Sequence, residues 1–392
     1  MPDPIVTISP ALISLDHMFT RNPLILSIAG TGQYVYSVHG QGWSQQNPAY
    51  MGEVTAPVKV NLSEILEAVV PNMADPGISD EILVVDSHDY SVFIIVYDSE
   101  QQRAFTRTVK AHRGGVSKQN FRKLMAQGTD IFKARFLQAG CNFFLTTRTN
   151  DWRLSIKETE LYPLAFFYPQ GDDVVLRDPS TGETLELDGT SGALCFLNLE
   201  AARRYFLDEY GCIVNVLDVL VDDTYCARIA IEEARPQRER YLLKFRNSFG
   251  AFEVIELTGA AQFTPAFGDE SDNGQYQRYV PDVDDFAAER PRMEMSNVIK
   301  ISTGYKTNDE LRFILDALAS DEIYLLGLTD DPIRVIVTAE ELSYERRPNS
   351  PQAFNLEIKP VEDDRCITPE MSDSLAPGRG GVFSEEFSEE FD

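Results

Sequence analysis

The side chains best suited to nucleophilic or metal chemistry are five cysteines and four histidines, and neither set is clustered. Cys141, Cys195, Cys212, Cys226 and Cys366 are odd in number, widely spaced and never in a C-x-x-C pair. A structural zinc site needs four convergent ligands, so these cysteines are expected as reduced thiols that pack like small apolar residues. His17, His39, His88 and His112 are just as scattered and contain no H-E-x-x-H signature. Gly189-Thr190-Ser191-Gly192-Ala193 lacks the G-x-S-x-G spacing of a nucleophile elbow, and no histidine follows His112 to complete the order Ser, acid, His.

Other groupings come closer to a known geometry and then miss it. Asp269-Glu270-Ser271-Asp272-Asn273-Gly274 supplies the first, third and fifth positions of a calcium loop and the glycine at its sixth. The twelfth position, which needs a bidentate Glu, is Val280, so a polar linker is expected. Gly30-Thr31-Gly32 has Val35 in place of a third fingerprint glycine and leads into a strand, which predicts a hairpin turn rather than a dinucleotide site. Gly114-Gly115 precedes a predicted helix, where backbone N–H groups could hold an anion, but no P-loop lysine follows in register, so a simple turn is expected. Glu158 and Glu160 lie two apart on a predicted strand, which would turn both carboxylates to one side within glycosidase-like reach. Without an apolar pocket to raise one pKa they read as a solvated face, and the Asp-Asp pairs beginning at 172, 222, 284, 330 and 363 read as turns. No catalytic, cofactor-binding or metal-binding residue is therefore assigned, no cofactor is implied, and the chain is expected not to be an enzyme.

Composition narrows the partners. Lys and Arg total 35 against 62 Asp and Glu, a net charge of -27 that repels nucleic acid phosphates and anionic membranes. No stretch approaches the apolar length of a membrane span, and Met1 to Phe19 has no Lys or Arg ahead of its apolar residues. No nucleic acid and no membrane insertion are expected. At 392 residues with 43% hydrophobic content the chain can bury several cores.

The elements that would position such residues are mostly strands. Leu24–Ile28 and Tyr34–Val38 flank the glycine turn, and Ile82–Val85 and Val92–Tyr97 are continuous apolar runs, as in strands covered on both faces. A helix is expected from about Ser63, stopping before Pro71, with a second after Ser117, whose buried stripe is Phe121, Leu124 and Met125. Val174–Leu176 and Thr184–Leu187 form a hairpin across Asp178 to Gly182, and Tyr225 to Glu232 alternates as a strand with one wet face. Between them Glu200–Tyr210 reads as a helix ended by Gly211. Tyr241–Phe245 and Phe252–Leu257 pair across Asn247-Ser248-Phe249-Gly250. From Gly259 to Ser296 the pattern dissolves. Thr307 and Glu310 then form a capping box ahead of Leu311, Ile314, Leu315 and Leu318, and strands at Ile323–Leu328, Ile333–Val337 and Phe354–Ile358 follow.

These elements predict a mainly β protein with α+β parts: two β-sandwich-like or barrel-like domains followed by a small α+β domain. The expected divisions are 1–155, 156–258, a polar linker or extended arm at 259–296, a small α+β domain at 297–360, and an acidic flexible tail at 361–392. The tail closes on a tandem F-S-E-E repeat that either stays solvated or orders on a partner.

Four pieces resemble minor structural proteins of tailed phages and prophages of Bacteroidetes: Tyr241 to Glu253, Glu158 to Pro169, Gly304 to Leu326, and the phenylalanine-repeat C-terminus. Together they cover about a seventh of the chain. The resemblance implies a virion structural role in the tail tip or baseplate, assembled in the host bacterial cytoplasm, with other tail proteins and further copies of itself as partners. The alternative is a glycan- or receptor-binding adhesin module, in which Trp43, Trp152 or Tyr276 would stack on host surface sugars.

Overall fold

The computed structural model describes residues 5–9, 17–40, 42–43, 47–100, 102–128, 143–149, 151–171, 173–237, 239–267, 276–289, 295–328, 331–339 and 352–361. These residues form a mainly β protein with 23 strands and four helices. The chain divides into two compact units, Met1–Phe263 with Ile299–Val361, and Thr264–Val298 with Glu362–Asp392.

The first unit holds three sheet systems. In the first, β1 (Ile5–Ser9), β3 (Ile25–His39), β6 (Ser91–Tyr97), β7 (Arg103–His112) and β2 (His17–Phe19) lie in that order, and β4 (Tyr50–Asn61) pairs with β3. Gly30-Thr31-Gly32 is not a hairpin turn. Gly30 and Gly32 have φ of 130° and 123°, and the register against β4 shifts between Ile28 and Gly32 while the chain runs straight on. Positive φ serves a bulge as readily as a reversal, and β3 has long partners on either side of this point that hold it extended. Helices α1 (Ser63–Val69) and α2 (Lys118–Ala126) pack Leu66, Phe121 and Leu124 on this core. Ser117 caps α2 as expected, accepting a hydrogen bond from the Asn120 amide. Met125, expected on the buried stripe, is exposed.

The second system has a five-stranded sheet in the order β11 (Thr184–Leu187), β10 (Val174–Arg177), β13 (Val216–Val221), β14 (Thr224–Glu232), β8 (Arg153–Lys157). A small sheet in the order β5 (Leu83–Val85), β12 (Leu194–Leu197), β9 (Leu164–Phe167) forms a wall between two cores. Successive side chains on a strand face opposite ways. Ala165, Phe167 and Phe196 therefore enter the first core while Leu164, Phe166, Cys195 and Leu197 enter the second, which accounts for the unbroken apolar runs. Helix α3 (Leu199–Tyr210) closes the second core with Phe206. It starts at the Asn198 cap and ends at Gly211 in the left-handed conformation, φ 70°.

The third sheet runs β16 (Phe252–Leu257), β15 (Tyr241–Arg246), β21 (Ile323–Leu326), β22 (Ile333–Ala339), β23 (Asn355–Pro360), β20 (Met295–Ser302), β17 (Ala261–Phe267). Helix α4 (Asn308–Leu318) buries Leu311, Phe313, Ile314 and Ala317 on it, and both hydrogen bonds of the predicted Thr307–Glu310 capping box are present. The Tyr241–Leu257 hairpin, which the sequence grouped with the middle segment, supplies two strands of this last sheet.

In the second unit β18 (Tyr276–Val280) and β19 (Asp285–Glu289) form an antiparallel hairpin in which Tyr279 pairs with Phe286. The calcium-like segment 269–274 and the F-S-E-E repeat lie outside the described residues.

Candidate functional site

The densest convergence of polar side chains lies where the three cores meet, on the β15–β16 hairpin. Its turn, Asn247 to Gly250, touches the first core and the helix of the third. The Asn247 side chain accepts from the Phe249 and Ala251 amides, which folds the turn, and donates to the Leu145 carbonyl and to Glu253 Oε2 at 2.8 and 2.6 Å. Phe249 enters the first core and lies 5.7 Å from the Phe19 ring. The Ser248 amide donates to Asp316 of α4 at 3.0 Å, and its carbonyl accepts from the Gly115 amide at 2.8 Å. Gly250 has φ 90°, and a Cβ there would stand 1.9 Å from the Arg113 carbonyl oxygen. Gly114-Gly115 is thus a backbone docking point for this turn; a Cβ on Gly114 would meet Phe249 at 2.4 Å.

The strands beside the turn carry charge into the interior. Arg148 reaches Glu160 at 2.5 Å and Glu253 at 3.4 Å, donates to the Val254 carbonyl, and lies 4.2 Å above the Phe313 ring. Burial works to raise the Glu160 carboxyl, but the charges of Arg148 and Lys157 outweigh it and hold that pKa below the usual carboxylate range. At Glu253 burial wins over Arg148, and the carboxyl is pushed up. Lys157 joins Glu160 to Glu310, at 4.0 and 3.1 Å. Lys306 is buried beside Glu310, with its Nζ donating to the Glu256 carbonyl at 2.8 Å; burial and then the neighbouring Lys157 charge bring its ammonium down to about 8. On the facing side Lys244 pairs with Asp75 at 2.7 Å, and Tyr162 donates to the same carboxylate. Arg246 pairs with Glu322 at 2.8 Å and donates to the Met73 and Gly250 carbonyls.

Two clefts open beside Arg148. One, of about 280 Å³, is lined by Arg153, Lys157, Glu232 and Glu310 among others. The other, of about 420 Å³, runs between α2 and α4 past Asn120, Lys123, Thr147 and Arg312. A ligand pocket is typically apolar with a few convergent polar groups. In the first cleft Lys157 and Glu310 bond each other, and Ser155 donates to Glu232 at 2.5 Å. In the second Thr147 donates to Asp316 at 2.7 Å.

The residues singled out from sequence are dispersed. Glu158 and Glu160 stand on a 3-10 turn, not a strand, so they diverge: Glu158 faces Arg203 at the surface and Glu160 is buried against Arg148. His17 and His112 stack in the first core, Nδ1 to Nε2 at 2.9 Å, beside Phe167 and Tyr90. Burial, then the Lys110 charge, lowers His17 to about 3; burial, then His17, lowers His112 well below its ordinary value. His39 meets Ser37, and His88 meets Asp86 at the surface. Cys195 and Cys226 are buried, and burial pushes the Cys195 thiol up to about 12. Cys141 and Cys366 lie outside the described residues. No group of three His, Cys, Asp or Glu among the described residues is placed to hold a metal.

Of the aromatic candidates, Trp152 and Trp43 stand on different sheet systems. Trp152 abuts Tyr225 edge-on, with the Arg153 guanidinium 4.7 Å from its ring and Arg228 at 5.9 Å. Trp43 is exposed in the loop after β3, on another sheet system. Arg148, Glu253 and Lys244 were missed in the sequence. The available signal was charge inside otherwise apolar strands, Leu242-Leu243-Lys244-Phe245 and Phe252-Glu253-Val254-Ile255.

No family model and no curated protein match this sequence. Similar solved structures include one described as host cell surface retention of a 1.5-MDa bacterial ice-binding adhesin, at 8% identity over 76% of this chain and 91% of that one, TM-score 0.15. Extracellular domains 3–5 of Drosophila OTK align at 11% identity over 77% and 93%, TM-score 0.16. A biofilm-associated protein BSP domain aligns at 10% over 76% and 63%, TM-score 0.14. Likeness at that level carries no argument about what this chain does.

Proposed function

We infer that the chain is a non-enzymatic structural protein of a phage tail tip or baseplate that works by oligomerising and docking to other tail proteins. The observation that carries this reading is how the buried charge is used. Arg148 bridges Glu160 and Glu253, Lys157 reaches Glu310, Lys244 reaches Asp75 and Arg246 reaches the Met73 carbonyl, each a link between sheet systems, so buried charge fastens the lobes together. Such a body holds its outer edges in fixed relative positions, which many-copy assembly requires. The resemblance of Tyr241 to Glu253 to tail-associated proteins falls on the element that does the fastening. Native mass spectrometry of the full chain, together with proteomics of purified virions, tests the reading. A closed homo-oligomer and presence in the particle are expected; a monomer absent from particles refutes it.

A further inference from the structure

The five-stranded sheet of the second system turns one set of side chains into the second core and the other set outward. On the outward face the register sets Arg177 of β10 opposite Asp218 of β13, Asp218 opposite Arg228 of β14, and Arg228 opposite Arg153 of β8. Three cations thus stand in line across four neighbouring strands with one carboxylate among them. Asp218 lies buried beneath the row; it accepts from Arg228 at 2.7 and 3.1 Å and from the Tyr225 hydroxyl at 3.1 Å, and Arg177 is 3.5 Å away. Both of its oxygens are engaged. Arg153 has no carboxylate within ion-pair distance among the described residues and lies against the Trp152 ring, 4.7 Å from its centroid. Like charges directly opposite on adjacent strands weaken a sheet. Arg228 and Arg153 keep that arrangement in a chain with 35 Lys and Arg against 62 Asp and Glu.

Trp152 is 40% exposed and stands edge-on to Tyr225 beside the arginines, ring centroids 5.5 Å apart. Trp, Tyr and Arg are the residues that carry most of the energy at protein interfaces. We propose that this face receives an acidic surface of a second copy of the chain, with Arg153, Arg228 and Arg177 meeting its carboxylates and Trp152 packing against it. The proposal rests on the assembly reading above and names one side of its interface. A second copy is the occupant because the chain supplies the opposite charge: between Lys59 and Arg103 it carries nine Asp and Glu and no Lys or Arg. Two arginine rows repel, so the row of one copy meets a different surface of the next. Every copy then offers both halves of the contact, which lets one interface repeat around a ring or along a fibre. DNA would bring a denser line of negative charge against a chain of net charge -27, which disfavours it as the occupant.

Native mass spectrometry and light scattering of the full chain test the contact. Wild type is expected to self-associate, and more weakly as NaCl rises from about 0.05 to about 0.5 M, because salt screens surface charge. Arg153→Glu places a carboxylate opposite Arg228, lowers the charge of the row by two and should raise the dissociation constant about tenfold or more. Trp152→Ala should weaken association as well. Arg153 is exposed and holds no ion pair among the described residues, so the melting of Arg153→Glu should match wild type and its result stands even if Trp152→Ala folds poorly. Lys118→Glu makes the same change of net charge on the exposed side of α2 and should leave association unaltered. An oligomer indifferent to Arg153→Glu, or weakened equally by Lys118→Glu, overturns the assignment of this face and leaves self-assembly standing. A monomeric wild type overturns both. A short DNA duplex bound by wild type and released by Arg153→Glu gives the face to nucleic acid and overturns the proposal.

Discussion

Replacing Arg148 by Met probes the junction of the three cores at its most loaded point. The guanidinium serves two carboxylates at 2.5 and 3.4 Å, and the side chains of all three groups are at most one-tenth exposed. Methionine keeps much of the stem volume above Phe313 and removes only the charge and the donors. Glu160 retains Lys157 at 4.0 Å, so Glu253 is the carboxylate left without a cation. Removing one partner of a buried pair costs about 3–5 kcal/mol, a large share of the roughly 5–15 kcal/mol by which a domain is stable. The loss should depend on pH in a definite direction. In the variant the folded pKa of Glu253 rises further above its unfolded value, so the penalty is full above that raised value and vanishes below the unfolded one, about 4.3. Urea unfolding at pH 7.5 and pH 4.5 measures both quantities. Adding Glu253→Gln should restore more than half of the loss, since the orphaned charge goes with it. A loss under about 1 kcal/mol at pH 7.5, or one equal at the two pH values, refutes the claim that this charge is buried and paired.

The His17–His112 stack predicts acid sensitivity: both folded pKa values are depressed, so stability present above about pH 6.5 is lost as pH falls, by about 1.4 kcal/mol per pH unit for each imidazole. The urea midpoint should drop between pH 7 and pH 5.5, a window above most carboxylates, and a flat midpoint contradicts the assignment. Gly250→Ala should destabilise by more than about 2 kcal/mol, because the Cβ both meets the Arg113 oxygen at 1.9 Å and resists φ 90°; thermal melting checks it. Thr307→Ala removes the cap of α4 and should cost about 1 kcal/mol, with Thr307→Ser retaining most of it; guanidinium titration separates the two.

What the sequence disclosed follows the range of the interaction responsible. The Thr307–Glu310 box, the Gly211 stop and the Val174–Leu187 hairpin are set within a few residues, and they stand as expected. Gly30-Thr31-Gly32 misled because its glycines license positive φ without saying whether the chain reverses; that is decided by β4 and β6, far away in sequence. Glu158 and Glu160 misled for a similar reason, since the partner of each, Arg203 and Arg148, lies on another element. The polar junction was hidden because Glu253 and Arg148, about a hundred residues apart, each look like ordinary surface charge alone.

The docking of the Asn247–Gly250 turn also orders events during synthesis. Arg113 to Gly115 and Leu145 to Thr147 leave the ribosome well over ninety residues ahead of the turn they receive. At roughly 5–20 residues per second that is a delay of roughly 10 s, during which these receiving segments lack their partner. A nascent chain in that interval is exposed to proteases and to mispairing, and its rescue depends on how soon the hairpin emerges.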